Sequence, residues 1–137
     1  MKIAVRLILG AVLALFIVPA LGITPAAAAD AKHISIPSNY VYNPNTNHQR
    51  TLHDYCTKSP DSFPTPGKNA DFRGPCARHD MCIQYKQKKR SSCDSDLLSN
   101  MSSECRYTYK WYDPRRGACL DTAKVYWAVV RVKTVFS

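Results

Sequence analysis

Six cysteines, all between Cys56 and Cys119, constrain this chain more than any other feature. Their number is even, and the chain opens with the features of an export leader. Lys2 and Arg6 precede an apolar stretch from Leu7 to Ile23, and the small residues Ala27, Ala28 and Ala29 follow. A signal peptidase reads that order, so the expected cut falls after Ala29 and leaves residues 30–137 as the mature domain. A membrane anchor is the poorer reading, because Pro19 and the alanine run interrupt the stretch and no stop-transfer charge flanks it. An exported chain enters an oxidising compartment, where an even set of cysteines forms disulfides. Three bridges are expected, drawn from the fifteen pairings that six cysteines allow. Structural zinc does not fit, since no Cys-x-x-Cys pair occurs.

A chain of 137 residues makes one domain, near the lower limit at which an apolar core alone holds a fold. The leader takes two of the nineteen basic residues and none of the ten acidic ones, so the mature part carries seventeen against ten, or +7. Residues 30–49 are polar and irregular, with Pro37 and Pro44, and predict an arm or one short helix. Ordered structure is expected from Thr51 to Cys56. Ser59 to Pro75 holds four prolines and two glycines, and reads as a long loop bracketed by Cys56 and Cys76.

From Cys76 to about Lys89 there is no proline or glycine, and Cys76, His79, Asp80 and Ile83 recur at helical spacing. Pro75 suits the first turn of that helix. The polar run Lys86 to Ser92 marks its end and a turn. A second helix is expected from Cys93 to about Tyr107, with Leu97, Leu98 and Met101 on one side. Asp113-Pro114-Arg115-Arg116-Gly117 signals a turn. Leu120, Ala123, Trp127 and Val130 then predict a third amphipathic helix running to the C-terminus. The fold class is therefore all-α, a small disulfide-linked helical domain with two long central helices packed antiparallel.

The sequence Cys76-Ala77-Arg78-His79-Asp80 resembles the Cys-x-x-His-Asp motif of secreted phospholipases A2, and is most similar to the small bacterial and fungal branch of that superfamily. Asp54-Tyr55-Cys56 looks like the short calcium loop of that branch. Cys93-Asp94-Ser95-Asp96 falls where its partner aspartate lies, and Met101 to Cys105 keeps its methionine-to-cysteine spacing. Cys119-Leu120-Asp121-Thr122-Ala123 extends the likeness into the last helix, so that it covers about Thr51 to Val130.

The resemblance implies a secreted, calcium-dependent hydrolase acting on the sn-2 ester of glycerophospholipids at a membrane or micelle surface. It would work as a monomer and without nucleic acid. By the same likeness His79 is the base that activates water and Asp94 its partner, while Asp80, Asp54 and the Tyr55 carbonyl hold Ca²⁺. Each role has a chemical reason. Histidine titrates near neutral pH, an imidazole that gains a proton needs a carboxylate on its far nitrogen, and calcium prefers oxygen ligands. The family pattern implies bridges Cys56–Cys76 and Cys105–Cys119. Cys82 and Cys93 depart from the two-disulfide members, and a bridge between them would clamp the two catalytic helices beside the dyad.

A second departure is Ile83, where the family often has a tyrosine that bonds the partner aspartate; Tyr85, Tyr107 and Tyr109 are the candidate replacements. Asp96 competes with Asp94 for the partner role, though it lies about 200° further round a helix. The faces around Leu97, Met101, Ala123 and Trp127 predict core, with some of them lining an acyl-chain slot. Two rival functions share the frame. A silent cationic membrane binder suits the charge and the aromatic residues but leaves His79, Asp80, Asp94 and Asp54 without a task. A secreted ribonuclease suits the size and charge but leaves the carboxylate cluster unexplained.

Overall fold

The computed structural model describes residues 31–45 and 53–135; the export leader read at residues 1–29 and the expected ordered start at Thr51 lie outside them. Among the described residues there are three helices: α1 (Arg73–Gln84), α2 (Arg90–Thr108) and α3 (Arg115–Val135). Among the same residues there is no β-strand, only isolated bridges between Asn43 and His53 and between Ser62 and Asp71. Among the described residues no helix is long and apolar enough to cross a membrane.

Local chemistry sets the helix ends, which differ from the sequence reading. α1 starts three residues before Cys76, because the Asp71 carboxylate accepts the Arg73 N–H and grips its guanidinium, while Pro75 sits in the first turn. It stops at Gln84 rather than near Lys89, since Lys86 adopts a left-handed φ of 51°. α2 begins at Arg90, ahead of the expected Cys93, and α3 begins inside the Asp113 to Gly117 segment. There Asp113 accepts the Arg115 N–H at 3.0 Å, so the expected turn is itself a helix start. The two longest helices are α2 and α3, of 19 and 21 residues, whereas α1 has 12.

Three disulfides join these parts: Cys56–Cys76, Cys82–Cys93 and Cys105–Cys119, with no free cysteine. The first ties the loop before α1 to its first turn, the second links α1 to α2, and the third links α2 to α3. Each closes a loop of 11 to 20 residues, a constraint on the unfolded chain of about 2–4 kcal/mol per bridge. Cys56, Cys76, Cys105 and Cys119 pack with Phe63, Phe72, Leu97, Met101, Tyr109 and Ala123 in one core, so two of the bridges share the space of the apolar contacts.

The long loop of residues 57–72 is held down. Phe63 N–H donates to Ala70 and Phe72 N–H to Asp61, a short antiparallel contact that turns both rings into the core. The Tyr126 hydroxyl reaches the Pro60 carbonyl and the Arg115 guanidinium that of Pro66.

Residues 31–45 form an arm without a helix; residues 30 and 46–49 of the expected arm or short helix lie outside the described residues. The Lys32 backbone exchanges two hydrogen bonds with the Ser103 hydroxyl, the Ile34 N–H donates to the buried Glu104 carboxylate, and Arg78 donates to the Ser35 carbonyl. Ile34 itself is buried. The arm crosses α1 at Gly74, where a Cβ would lie 1.7 Å from the Ile34 carbonyl oxygen; only glycine fits there.

Candidate active site

His79 and Asp94 face one another across α1 and α2. The His79 Nε2–H donates to Asp94 Oδ1 at 2.9 Å, with Asp94 fully buried and the His79 side chain 15% exposed. A carboxylate can only accept, so the proton sits on Nε2 and Nδ1 keeps its lone pair, without a partner among the described residues. Burial is the largest influence on His79 and pulls its pKa below the usual histidine range, against the opposing pull of Asp94. At neutral pH the ring is therefore an uncharged base with one free nitrogen.

Asp94 is fixed from its other side as well. The Thr134 hydroxyl, on the last turn of α3, donates to Oδ2 at 2.7 Å, and Arg131 comes within 4.0 Å of the same oxygen. None of the three tyrosines considered from sequence fills this role. Tyr85 and Tyr107 are exposed, and the Tyr109 hydroxyl bonds to Lys68 and Thr65. Asp96 pairs instead with Lys88 at 2.6 Å, half-exposed on the wall of the cleft that His79 also lines. The Cys82–Cys93 bridge sits one turn from His79 and next to Asp94, so the covalent link and the hydrogen bond hold the same helix pair.

Asp80, next to His79 on α1, lies in a different setting. It is buried, and the Tyr40 hydroxyl donates to its Oδ2 at 2.8 Å. The same hydroxyl accepts the Tyr55 N–H at 3.1 Å. Burial, reinforced by repulsion from Asp54 and Asp61, pushes the Asp80 carboxyl up to about 8. Asp54 receives the Thr57 hydroxyl on Oδ1 at 2.5 Å. Each aspartate thus keeps one carboxylate oxygen without a partner among the described residues. Tyr55 has a left-handed φ of 61°, uncommon for a side chain of that size.

These donors suit a hard cation. Among the described residues no three His, Cys, Asp or Glu side chains gather as a metal cluster. Asp80 and Asp54 offer carboxylate oxygens and Tyr55 a backbone carbonyl that also accepts the Thr57 N–H at 3.1 Å; donors of this kind would fit calcium, whose shell takes carbonyls and waters beside acidic groups. Repulsion of the buried Asp80 carboxylate by Asp54 and Asp61 is an imbalance that a divalent cation would offset.

A stability test follows from Asp80. Its folded carboxyl holds a proton that the unfolded chain releases near the model-peptide value of 3.8. The stabilising contribution is complete below that value and is lost as pH rises through about 8. The Tm of the protein in chelator is expected to fall from about pH 5 to about pH 8, and Asp80→Asn should flatten the decline. A wild-type Tm that ignores pH over this range, or tracks that of Asp80→Asn, would contradict the assignment.

Beside the dyad lies a cleft of about 350 Å³, walled by His79 and Arg78 of α1, Leu97 and Asn100 of α2, Lys88, and Asn39 of the arm. The expected apolar slot is thus a mixed, cation-bearing cleft. Leu97 lines it, while Met101 and Ala123 are spent in the core.

Tyr40, Thr134 and Arg131 were not singled out from sequence. Thr134 was within reach, since it continues the spacing of Trp127 and Val130 on α3 as a polar group on an inward face. Tyr40 carried no signal, because the arm has no period.

Fold and site together define a small disulfide-linked helical domain in which a buried histidine–aspartate pair opens on a cleft. Comparison with family models, with curated proteins and with solved structures gives no match.

Proposed function

We propose that this protein is a secreted, calcium-dependent phospholipase A2 that hydrolyses the sn-2 ester of glycerophospholipids. The observation that carries the reading is the His79–Asp94 bond, which leaves Nδ1 free beside the cleft while Asp80, the next residue, faces Asp54. In this reading α1 and α2 run antiparallel and Asp54-Tyr55-Cys56 forms the calcium loop.

His79 Nδ1 takes a proton from water as the water oxygen bonds to the ester carbonyl carbon. The imidazolium keeps its Nε2–H on Asp94, whose charge offsets the new positive charge in a buried site. Collapse of the intermediate breaks the bond to the glycerol oxygen, and His79 returns its proton there. The products are a fatty acid and a lysophospholipid. Asp80, Asp54 and the Tyr55 carbonyl would hold calcium, which when bound neutralises charge on the carbonyl oxygen. Arg78 on the cleft wall suits an anionic head group, while Lys88 there is paired with Asp96. The exposed Trp111 and Tyr112, on a mature part of formal charge +7, suit contact with a lipid surface.

The test is incubation with vesicles of a phospholipid whose two chains differ in mass, and with RNA in parallel. Calcium-dependent release of the sn-2 chain alone supports the reading. Vesicle leakage without hydrolysis, or cleavage of the RNA, replaces it with one of the two rivals.

Thr134→Val is expected to lower kcat/KM about ten- to a hundredfold, the worth of a hydrogen bond to a charged group, with Thr134→Ser recovering most of it. Initial rates on vesicles check this, and equal rates for the wild type and the valine variant would remove Thr134 from the dyad's support.

A further inference from the structure

We infer that Tyr40 is a positioning residue for the Asp80 carboxylate, and that the arm of residues 31–45 is therefore part of the cation site. This rests on the calcium reading of Asp80 and Asp54 given above.

The geometry of Tyr40 goes beyond what packing alone requires. Its hydroxyl stands between two groups of the proposed site, donating to Asp80 Oδ2 at 2.8 Å and accepting from the Tyr55 N–H at 3.1 Å. It thereby links the metal-facing helix to the residue whose backbone is left-handed. The ring is held between two others, stacked on His53 at 5.0 Å and on Tyr55 at 5.3 Å. His53 is fixed in turn by its Nδ1 bond to the Val41 carbonyl and by the backbone pair it makes with Asn43. A ring clamped in this way has little rotamer freedom, so its hydroxyl sets which way Asp80 points. Oδ2 is occupied and Oδ1 is left for the cation.

Carboxylate ligands depend on such outer contacts. Removing one commonly weakens metal affinity about 10–100-fold, because the ligand then has to be ordered at the moment of binding. The arm reaches this position through its bonds to Ser103, Glu104 and Arg78, and through the seat at Gly74.

Tyr40→Phe deletes the hydroxyl and keeps the stack. Calorimetric titration with CaCl₂, well below the Tm, is expected to show a Kd about 10–100-fold weaker than wild type. The calcium concentration for half-maximal hydrolysis should rise by the same factor, with kcat at saturating calcium little changed. Tyr42→Phe is the control, since Tyr42 is exposed and keeps its tilted ring contact with Tyr55 without the hydroxyl; it should match wild type. If the wild type binds calcium and Tyr40→Phe binds equally or more tightly, the positioning role is overturned while the calcium reading stands. If the wild type takes up no calcium, both fall together.

Discussion

Asp94→Asn is expected to reduce kcat/KM on phospholipid vesicles about 10³–10⁴-fold while the protein stays folded. The exchange conserves volume at a residue that is only 1% exposed, and the Cys82–Cys93 bridge still holds α1 to α2 beside it. What changes is the hydrogen bond. A carboxylate accepts from His79 Nε2 and so keeps the lone pair on Nδ1, where water can use it. An asparagine can present its amide N–H₂ to the same nitrogen and move the ring proton to Nδ1, which ends its action as a base. The charge that offsets the imidazolium is lost as well. Rates on vesicles with circular dichroism in parallel check this, and activity within tenfold of wild type in a folded variant would contradict it.

Gly74→Ala is expected to destabilise the protein by about 3 kcal/mol, lowering Tm by about 12 °C or more in a domain of this size. The sign is opposite to the usual effect of replacing a helical glycine, which stabilises by up to about 1 kcal/mol. The reason is backbone rather than side chain: the new methyl would sit 1.7 Å from the Ile34 carbonyl oxygen and 2.7 Å from its carbonyl carbon. Neither can rotate away, so the arm must lift. Ile34 then loses its burial, and the Glu104 carboxylate loses the Ile34 N–H while remaining in a place where burial already raises its pKa. The same displacement carries Tyr40 off Asp80, so calcium affinity should fall together with Tm. Thermal melts and calcium titration check both, and a Tm equal to or above wild type would show that the arm does not rest on Gly74.

The helices were legible because their signals are local. Three- and four-residue spacing around His79, Leu97 and Ala123 marked three segments, and the three helices cover them. Their ends were less legible, since the sequence offers polar residues without saying which carboxylate caps. Asp71 and Asp113 extend α1 and α3 backwards through contacts two residues long. The pairing of His79 with Asp94 rather than Asp96 could be favoured from the phase of a helix, whereas the support of Asp94 by Thr134 spans 40 residues and depends on how α3 packs. Tyr40 was beyond reach for the same reason in stronger form. It lies on an aperiodic arm, and its partner Asp80 is 40 residues away, brought close by Gly74 and Glu104, neither of which had been given a role.

In the proposed function a buried imidazole with a free nitrogen and a neighbouring calcium site act on one ester. The most direct measurement is the release of the sn-2 fatty acid, by mass, from wild type and His79→Ala in saturating calcium and in chelator. Release by the wild type in calcium alone, with His79→Ala lower by a factor of about 10² or more, is the predicted result. Equal release by both proteins, or release that survives the chelator, would contradict it.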